Sequence, residues 1–264
     1  MTSATLATVD ELFAYKASGF ELPPFPGYTT DQWGIKAHNR PWIAHTAEWQ
    51  PGQRVIEVGG AYSRLPEWLG REFNVEPWIG DDFGMGDDDG EEEMWSRWGD
   101  PRELPSRFPT VKYVLENLGR YSPKFPDRHF DCIFSVSTLE HVPSTARLDV
   151  LKDMNRCTAP GGRQLHSIDI GIPSTAKLLA AIGAEKAHLH RLLARGYPSG
   201  IAAWIEEFRR SGVAIRTPIP SSVQLLDRRN LVESPDVIYR FTPPNDTPKP
   251  YWCTASLLLV IDDV

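Results

Sequence analysis

The chain has 264 residues, 41% hydrophobic and 24% charged, a globular composition long enough for one large α/β domain with a substantial core. Its net charge of −7 argues against a general nucleic-acid binder, which carries a basic patch or stripe. Three scattered cysteines (Cys132, Cys157, Cys253) without a CxxC argue against a disulfide framework or metal site and fit a reducing cytoplasm.

Residues 1–50 read as an N-terminal helical and aromatic cap. The start, MTSATLATVDELFAYK, has no apolar h-region, so no signal peptide is expected. One helix is expected over Val9–Lys16, then the Pro/aromatic stretch GFELPPFPGY, then a helix over Thr30–Trp49 broken near Pro41. Trp33, Trp42 and Trp49 fall here and serve to glue the cap to the main domain, with Tyr28, Trp33 or His38 as cleft-lining alternatives.

The segment RVIEVGGAYSRLPEWL (54–69) predicts a short buried strand, a tight turn at Gly59-Gly60-Ala61, and a helix over Arg64–Phe73 with Pro66 in its first turn. A glycine pair there permits positive φ and close approach of a ligand to the backbone. A second strand, Glu76–Gly80, runs into Asp81-Asp82-Phe83, and eight acids between Asp81 and Glu93 read as a solvated loop with no EF-hand spacing. Strands follow at Lys112–Glu116 and Phe130–Ser137, the latter a continuous apolar run suited to burial on both faces. A helix over Ser144–Arg156 ends before Ala159-Pro160-Gly161-Gly162, which opens a strand at Arg163–Ile168. Helices over Pro173–Arg195 and Ile201–Arg210 suggest a lid at about 171–212, and strands at Val237–Phe241 and Tyr251–Ile261 close the chain as an antiparallel pair. The longest apolar run, Leu257–Ile261, is far too short to span a bilayer, so a soluble, cytoplasmic protein is expected. Alternation of strands and helices at these intervals implies an α/β, doubly wound, mostly parallel sheet.

Taken in order, EVGG, the acid after the second strand, FPDRHFD–CIFSVSTLEHVP and NRCTAPGGRQLHSIDI resemble a class I S-adenosylmethionine-dependent methyltransferase of the small-molecule type. The resemblance covers about Arg54–Asp169 and implies a Rossmann-like sheet of seven strands, the last antiparallel, in a methyltransferase domain at 51–264. It implies S-adenosyl-L-methionine as cofactor, with Glu57 ordering its methionine end and Gly59, Gly60 and Ala61 letting the backbone approach it. Asp82, with Asp81 as the neighbouring alternative, would accept the ribose hydroxyls, since a carboxylate can take two donors at once. Phe83 would pack beside the adenine, Asn117 stands where the family often has an acid, and Ser135 and Ser137 would border the cofactor. His141, His166 and Asp169 are the catalytic candidates, with Glu140 orienting or substituting; the other histidines read as structural or solvated.

The implied reaction is methyl transfer to a small-molecule acceptor, such as a sugar or secondary-metabolite hydroxyl or amine, with no nucleic acid or membrane as partner. Two alternatives stand beside it. A nicotinamide dinucleotide site fits poorly, because GGAYS supplies no third glycine of G-x-G-x-x-G. A catalytically inactive binding or scaffold protein is motivated by Ala61 in place of a glycine and by the missing acid after the third strand. The oligomeric state is left open.

Overall fold

Five strands pair in parallel in one sheet, and the central RVIEV and FDCIFSV are apolar on both faces because both are covered. The computed structural model describes residues 2–23, 35–84, 99–173, 200–215, 218–220, 229, 231–233 and 252–264. In chain order the elements are β1 (Ser3–Leu6), α1 (Val9–Ala17), α2 (Lys36–Thr46), β2 (Arg54–Val58), α3 (Leu65–Phe73) and β3 (Glu76–Gly80). There follow the short α4 (Leu104–Arg107), β4 (Lys112–Val114), β5 (Phe130–Val136), α5 (Ser144–Cys157), β6 (Thr158–Pro173), α6 (Ile201–Arg210), β7 (Val232–Glu233) and β8 (Trp252–Asp262).

The sheet runs β1-β8-β6-β5-β2-β3-β4, with β7 also on β8. β8 is antiparallel to both β6 and β1, as expected for a last strand inserted into a parallel sheet. The expected partner strand Val237–Phe241 lies outside the described residues, as do most of the acidic loop and all but Pro173 of the helix expected over Pro173–Arg195, and Pro173 itself ends β6. What the sequence pattern did not announce is β1. Its four residues SATL pair with Leu257–Val260 at the sheet edge, so the N-terminal segment expected as a cap also contributes a strand. Only four residues long, β1 carries too little periodicity to be told from a loop.

Two apolar layers sandwich the sheet. On one side Ile56, Ile133 and Leu257 pack with Leu151 and Met154 of α5 and Trp204, Ile205 and Phe208 of α6. The stretch Ile201–Arg210 of the span expected as a lid is therefore a core helix. On the other side Val55, Phe134, Leu165 and Leu258 pack with Leu12 of α1, Trp42 and Ile43 of α2, and Leu65 and Leu69 of α3. α2 continues through Pro41 rather than breaking there. Trp42, Ile43 and Ala44 that follow are buried, and their packing outweighs the one helix bond that proline removes. Thr8 and Glu11 close a reciprocal capping box at the start of α1: Thr8 N–H donates to Glu11 Oε2 at 2.9 Å and Glu11 N–H to Thr8 Oγ1 at 3.3 Å.

Candidate active site

The carboxyl ends of β2, β3, β5 and β6 align, because Val58 pairs with Gly80, Glu57 with Phe134, and Val136 with Ser167. In an open α/β sheet that edge is where ligands bind. The turn after β2 is held tightly. Gly59 N–H donates to Gly80 O at 2.8 Å and Ser63 N–H to Gly60 O at 2.8 Å. Gly59 has φ +66°, and a Cβ there would stand 2.0 Å from Thr138 Cγ2, whose hydroxyl donates to Gly59 O at 3.2 Å. A Cβ on Gly60 would meet the Glu57 side chain at 3.0 Å. The glycine pair is thus required by the protein's own close approaches, from Thr138 above and Glu57 below.

Glu57 is 2% exposed, and its Oε2 has no hydrogen-bond partner. Burial pushes its carboxyl up to about 7, against the opposing pull of Arg40, a hydrogen bond with Ser63, and Lys36. Both cations come from α2, which lies across this edge of the sheet. Asp81 is tied to the glycine turn: its Oδ2 accepts from Ala61 N–H at 2.8 Å and its Oδ1 from Phe83 N–H at 2.6 Å. Burial raises Asp81 to about 6 despite those two bonds. Asp82 stands further out, accepting from Gly84 N–H at 3.1 Å, while its own N–H donates to Asn117 Oδ1 at 3.3 Å. Glu57, Gly59, Gly60, Ala61, Asp81, Asp82 and Asn117 are therefore brought along one edge.

Ser137, at the end of β5, donates to Asp169 Oδ1 at 3.0 Å and accepts from Asn39 Nδ2 of α2 at 3.3 Å. Beside them Glu140 is 1% exposed, and neither carboxylate oxygen has a well-formed hydrogen bond. Burial first, then the charge of Asp169, raise its carboxyl well above the usual range, while Lys36 lowers it. His141 is 65% exposed, with Nε2 3.9 Å from Glu140 Oε1. Ala61, Phe83 and Ser137 all take positive φ (42°, 53° and 49°), a conformation that costs a non-glycine residue roughly 1–2 kcal/mol. Such backbone strain gathers at ligand-binding turns.

Three expected site residues face elsewhere. His166 is fully buried, with Nδ1 2.9 Å from Ser135 Oγ and Nε2 3.2 Å from Gln164 Oε1. Burial lowers it to about 3, so it is a neutral ring locked in the core beside Phe208 and not a base at the cleft. Ser135 serves that ring. Phe83 is 0% exposed and packs edge-on to Tyr62 at 5.3 Å among Ile79, Leu104 and Val111, so its face is spent in a core cluster. Depth along the strand explains the first two: Ser135 and Ser137 share a face of β5, but only the outermost position reaches the edge. Lys36, Asn39, Arg40 and Thr138 were missed, since nothing local marks a helix 20 residues upstream as the roof of this turn. Among the described residues no group of side chains is arranged to hold a metal ion, and no helix is long and apolar enough to cross a membrane.

A family model described as a methyltransferase domain matches residues 89–165. Among solved structures, a phosphoethanolamine N-methyltransferase of Haemonchus contortus in complex with S-adenosyl-L-methionine is 14% identical, with a TM-score of 0.54 over 96% of this chain and 57% of that one. The same enzyme with phosphomonomethylethanolamine and S-adenosylhomocysteine gives 12% identity and a TM-score of 0.52 over the same shares. The YcgJ protein from Bacillus subtilis gives 17% and 0.52 over 86% of this chain and 99% of that one. This chain thus spans 57% of the length of the Haemonchus enzyme. No curated protein matches the sequence. The family model covers residues 89–165 alone, and at these identities the likeness to the solved structures is one of fold.

Proposed function

We propose that the protein transfers the methyl group of S-adenosyl-L-methionine to a small-molecule acceptor. The observation that carries this reading is the buried Glu57 carboxylate, with one oxygen unpartnered, directly beneath a strained glycine turn. A buried polar group without a partner is costly, and a ligand ammonium is what such a carboxylate lacks. Lys36 and Arg40 on α2 would meet the carboxylate of the same amino acid moiety. Asp82, with Asn117 beside it, would take the ribose hydroxyls; Asp81 holds the turn in shape.

The cofactor supplies an electrophilic methyl group on a sulfonium, so the chain's task is alignment and exclusion of water. Glu57 and the turn fix one partner. Ser137, Asp169, Glu140 and His141 border the position of the other, and the N-terminal helices would help to enclose it. His141 is the exposed candidate for carrying a proton to solvent. The acidic net charge of −7 favours a small acceptor over a nucleic acid.

Calorimetric titration with S-adenosylmethionine and S-adenosylhomocysteine tests the reading. Micromolar binding of both, lost in Glu57→Gln and weakened in Asp82→Ala, supports it. Absence of binding to the native chain favours an inactive scaffold.

A further inference from the structure

Four side-chain hydrogen bonds in series run from the surface of α1 to the carboxyl edge of the sheet. Glu11 Oε2 lies 3.3 Å from His38 Nε2, and His38 Nδ1 lies 3.3 Å from Asn39 Oδ1. Asn39 Nδ2 donates to Ser137 Oγ at 3.3 Å, and Ser137 donates to Asp169 Oδ1 at 3.0 Å. His38, Asn39 and Ser137 are buried, whereas the Glu11 side chain is 43% exposed. The series therefore joins α1 and α2 to the end of β5 and to β6.

Each link has one direction. Ser137 has a single hydroxyl proton, which goes to Asp169, so its oxygen accepts from Asn39. That orients the Asn39 amide, with its NH2 towards Ser137 and its oxygen towards His38. At the far end Glu11 Oε2 also accepts from Thr8 N–H at 2.9 Å and Thr8 Oγ1 at 2.7 Å, and the hydrogen bond with His38 lowers its carboxyl to about 2. An ionised carboxylate only accepts, so His38 faces an acceptor at each nitrogen and both nitrogens donate. Were Asp169 to take a proton and donate to Ser137, every link back to His38 Nδ1 would have to reverse. Other ionisable groups stand around the series. Tyr15 of α1 meets His38 edge-on at 5.3 Å and stacks on His45 of α2 at 5.7 Å; burial raises its hydroxyl to about 12, so it stays neutral. Lys36 of α2 acts on Glu57 and Glu140, Arg40 acts on Glu57, and Glu140 feels the charge of Asp169.

We propose that His38 and Asn39 are positioning residues for methyl transfer, and that through Ser137 they hold Asp169 as an ionised hydrogen-bond acceptor beside the methyl-accepting molecule. This rests on the methyl-transfer reading and deepens it. A nucleophile that donates its own O–H or N–H to a fixed carboxylate keeps its lone pair for the methyl carbon. A protonated Asp169 would instead donate to that lone pair and oppose attack. Docking of α1 and α2 thus sets the hydrogen-bonding character of a residue on β6.

The test uses the full chain saturated with S-adenosylhomocysteine, labelled with nitrogen-15 in histidine rings and carbon-13 in aspartate carboxyls and read by NMR. In the native chain at about pH 6, both His38 ring nitrogens should carry hydrogen and Asp169 should be ionised. Asn39→Leu and His38→Leu should each raise the midpoint of the Asp169 carboxyl by about one pH unit, with Asp131 near the amino end of β5 unmoved as the control. A merely structural role would lower stability in urea and leave the Asp169 titration in place. A bare ring nitrogen on His38 in the native chain, or an unmoved Asp169 midpoint in the folded variants, overturns the proposal while cofactor binding stands. Should the variants fail to fold, the native His38 ring decides. Failure of S-adenosylhomocysteine to bind the native chain overturns the proposal together with the methyl-transfer reading.

Discussion

The two ends of the parallel strands hold their glutamates and aspartates differently. At the amino ends a cavity of about 230 Å3 is lined by Trp49, Asp131, Gly161 and Arg163, and two of its charged groups have ionic partners. Asp131 accepts from Arg54 N–H at 2.7 Å and Nε at 3.4 Å, and Arg163 pairs with Asp262 at 3.4 Å. At the carboxyl ends Glu57 and Glu140 are buried without full partners and three non-glycine residues take positive φ. In the middle, His166 is as buried as either glutamate and has a partner at each nitrogen. A buried group with all its bonds made belongs to the fold; a buried carboxylate left short at the ligand-binding edge of the sheet is a candidate for a ligand.

The contrast is most directly broken by exchanging the two buried groups. Glu57→Gln should lower cofactor affinity about a hundred-fold, on the order of 2.7 kcal/mol, because a carboxamide cannot form the charge-assisted bond. His166→Leu should leave that affinity unchanged in calorimetry and instead destabilise the fold in urea by about 2–3 kcal/mol, through the stranded Ser135 and Gln164 groups. If His166→Leu reduces cofactor affinity as much as Glu57→Gln does, the distinction fails. Next in size, Gly59→Ala should cost about 2–3 kcal/mol in the same measurement, from the Thr138 overlap and the positive φ.

The pH dependence of Glu57 sharpens the comparison further. Its carboxyl is raised from 4.5 to about 7 in the fold, so the cofactor-free protein holds a proton that the unfolded chain releases. Stability from this group is greatest below pH 4.5 and falls as pH rises towards 7. Denaturant titrations should show that slope in the native chain and lose it in Glu57→Gln. A ligand ammonium reverses the preference, so binding near pH 6 should release a proton, measured by calorimetry in buffers of different ionisation enthalpy. Glu11 behaves oppositely: its hydrogen bond with His38 lowers it to about 2, so its contribution is present above pH 4.5 and lost as pH falls towards 2. Smaller again, Ala61→Gly should relieve positive φ and stabilise by up to about 1 kcal/mol, after the entropy of the added glycine is allowed for. Thr8→Ala, which removes a cap remote from the cleft, should cost about 1 kcal/mol and leave cofactor affinity alone.

Much of the architecture was written in local pattern. The apolar run at Phe130–Val136, the glycines after Val58 and the stop at Pro160-Gly161-Gly162 each announce their element through the chain's own periodicity and backbone freedom, and Glu57 and Asp82 were placed by the strands they end. Tertiary structure alone decided which polar groups would be left unpaired. That Gln164 and Ser135 meet both nitrogens of His166, that Thr138 closes on Gly59, that α2 carries Lys36 and Arg40 over Glu57, and that β1 takes the sheet edge all depend on segments distant in sequence. A residue's neighbours along the chain set its conformation, whereas its burial and its partners are set by what packs across from it, and it is those that separate a core histidine from a working carboxylate.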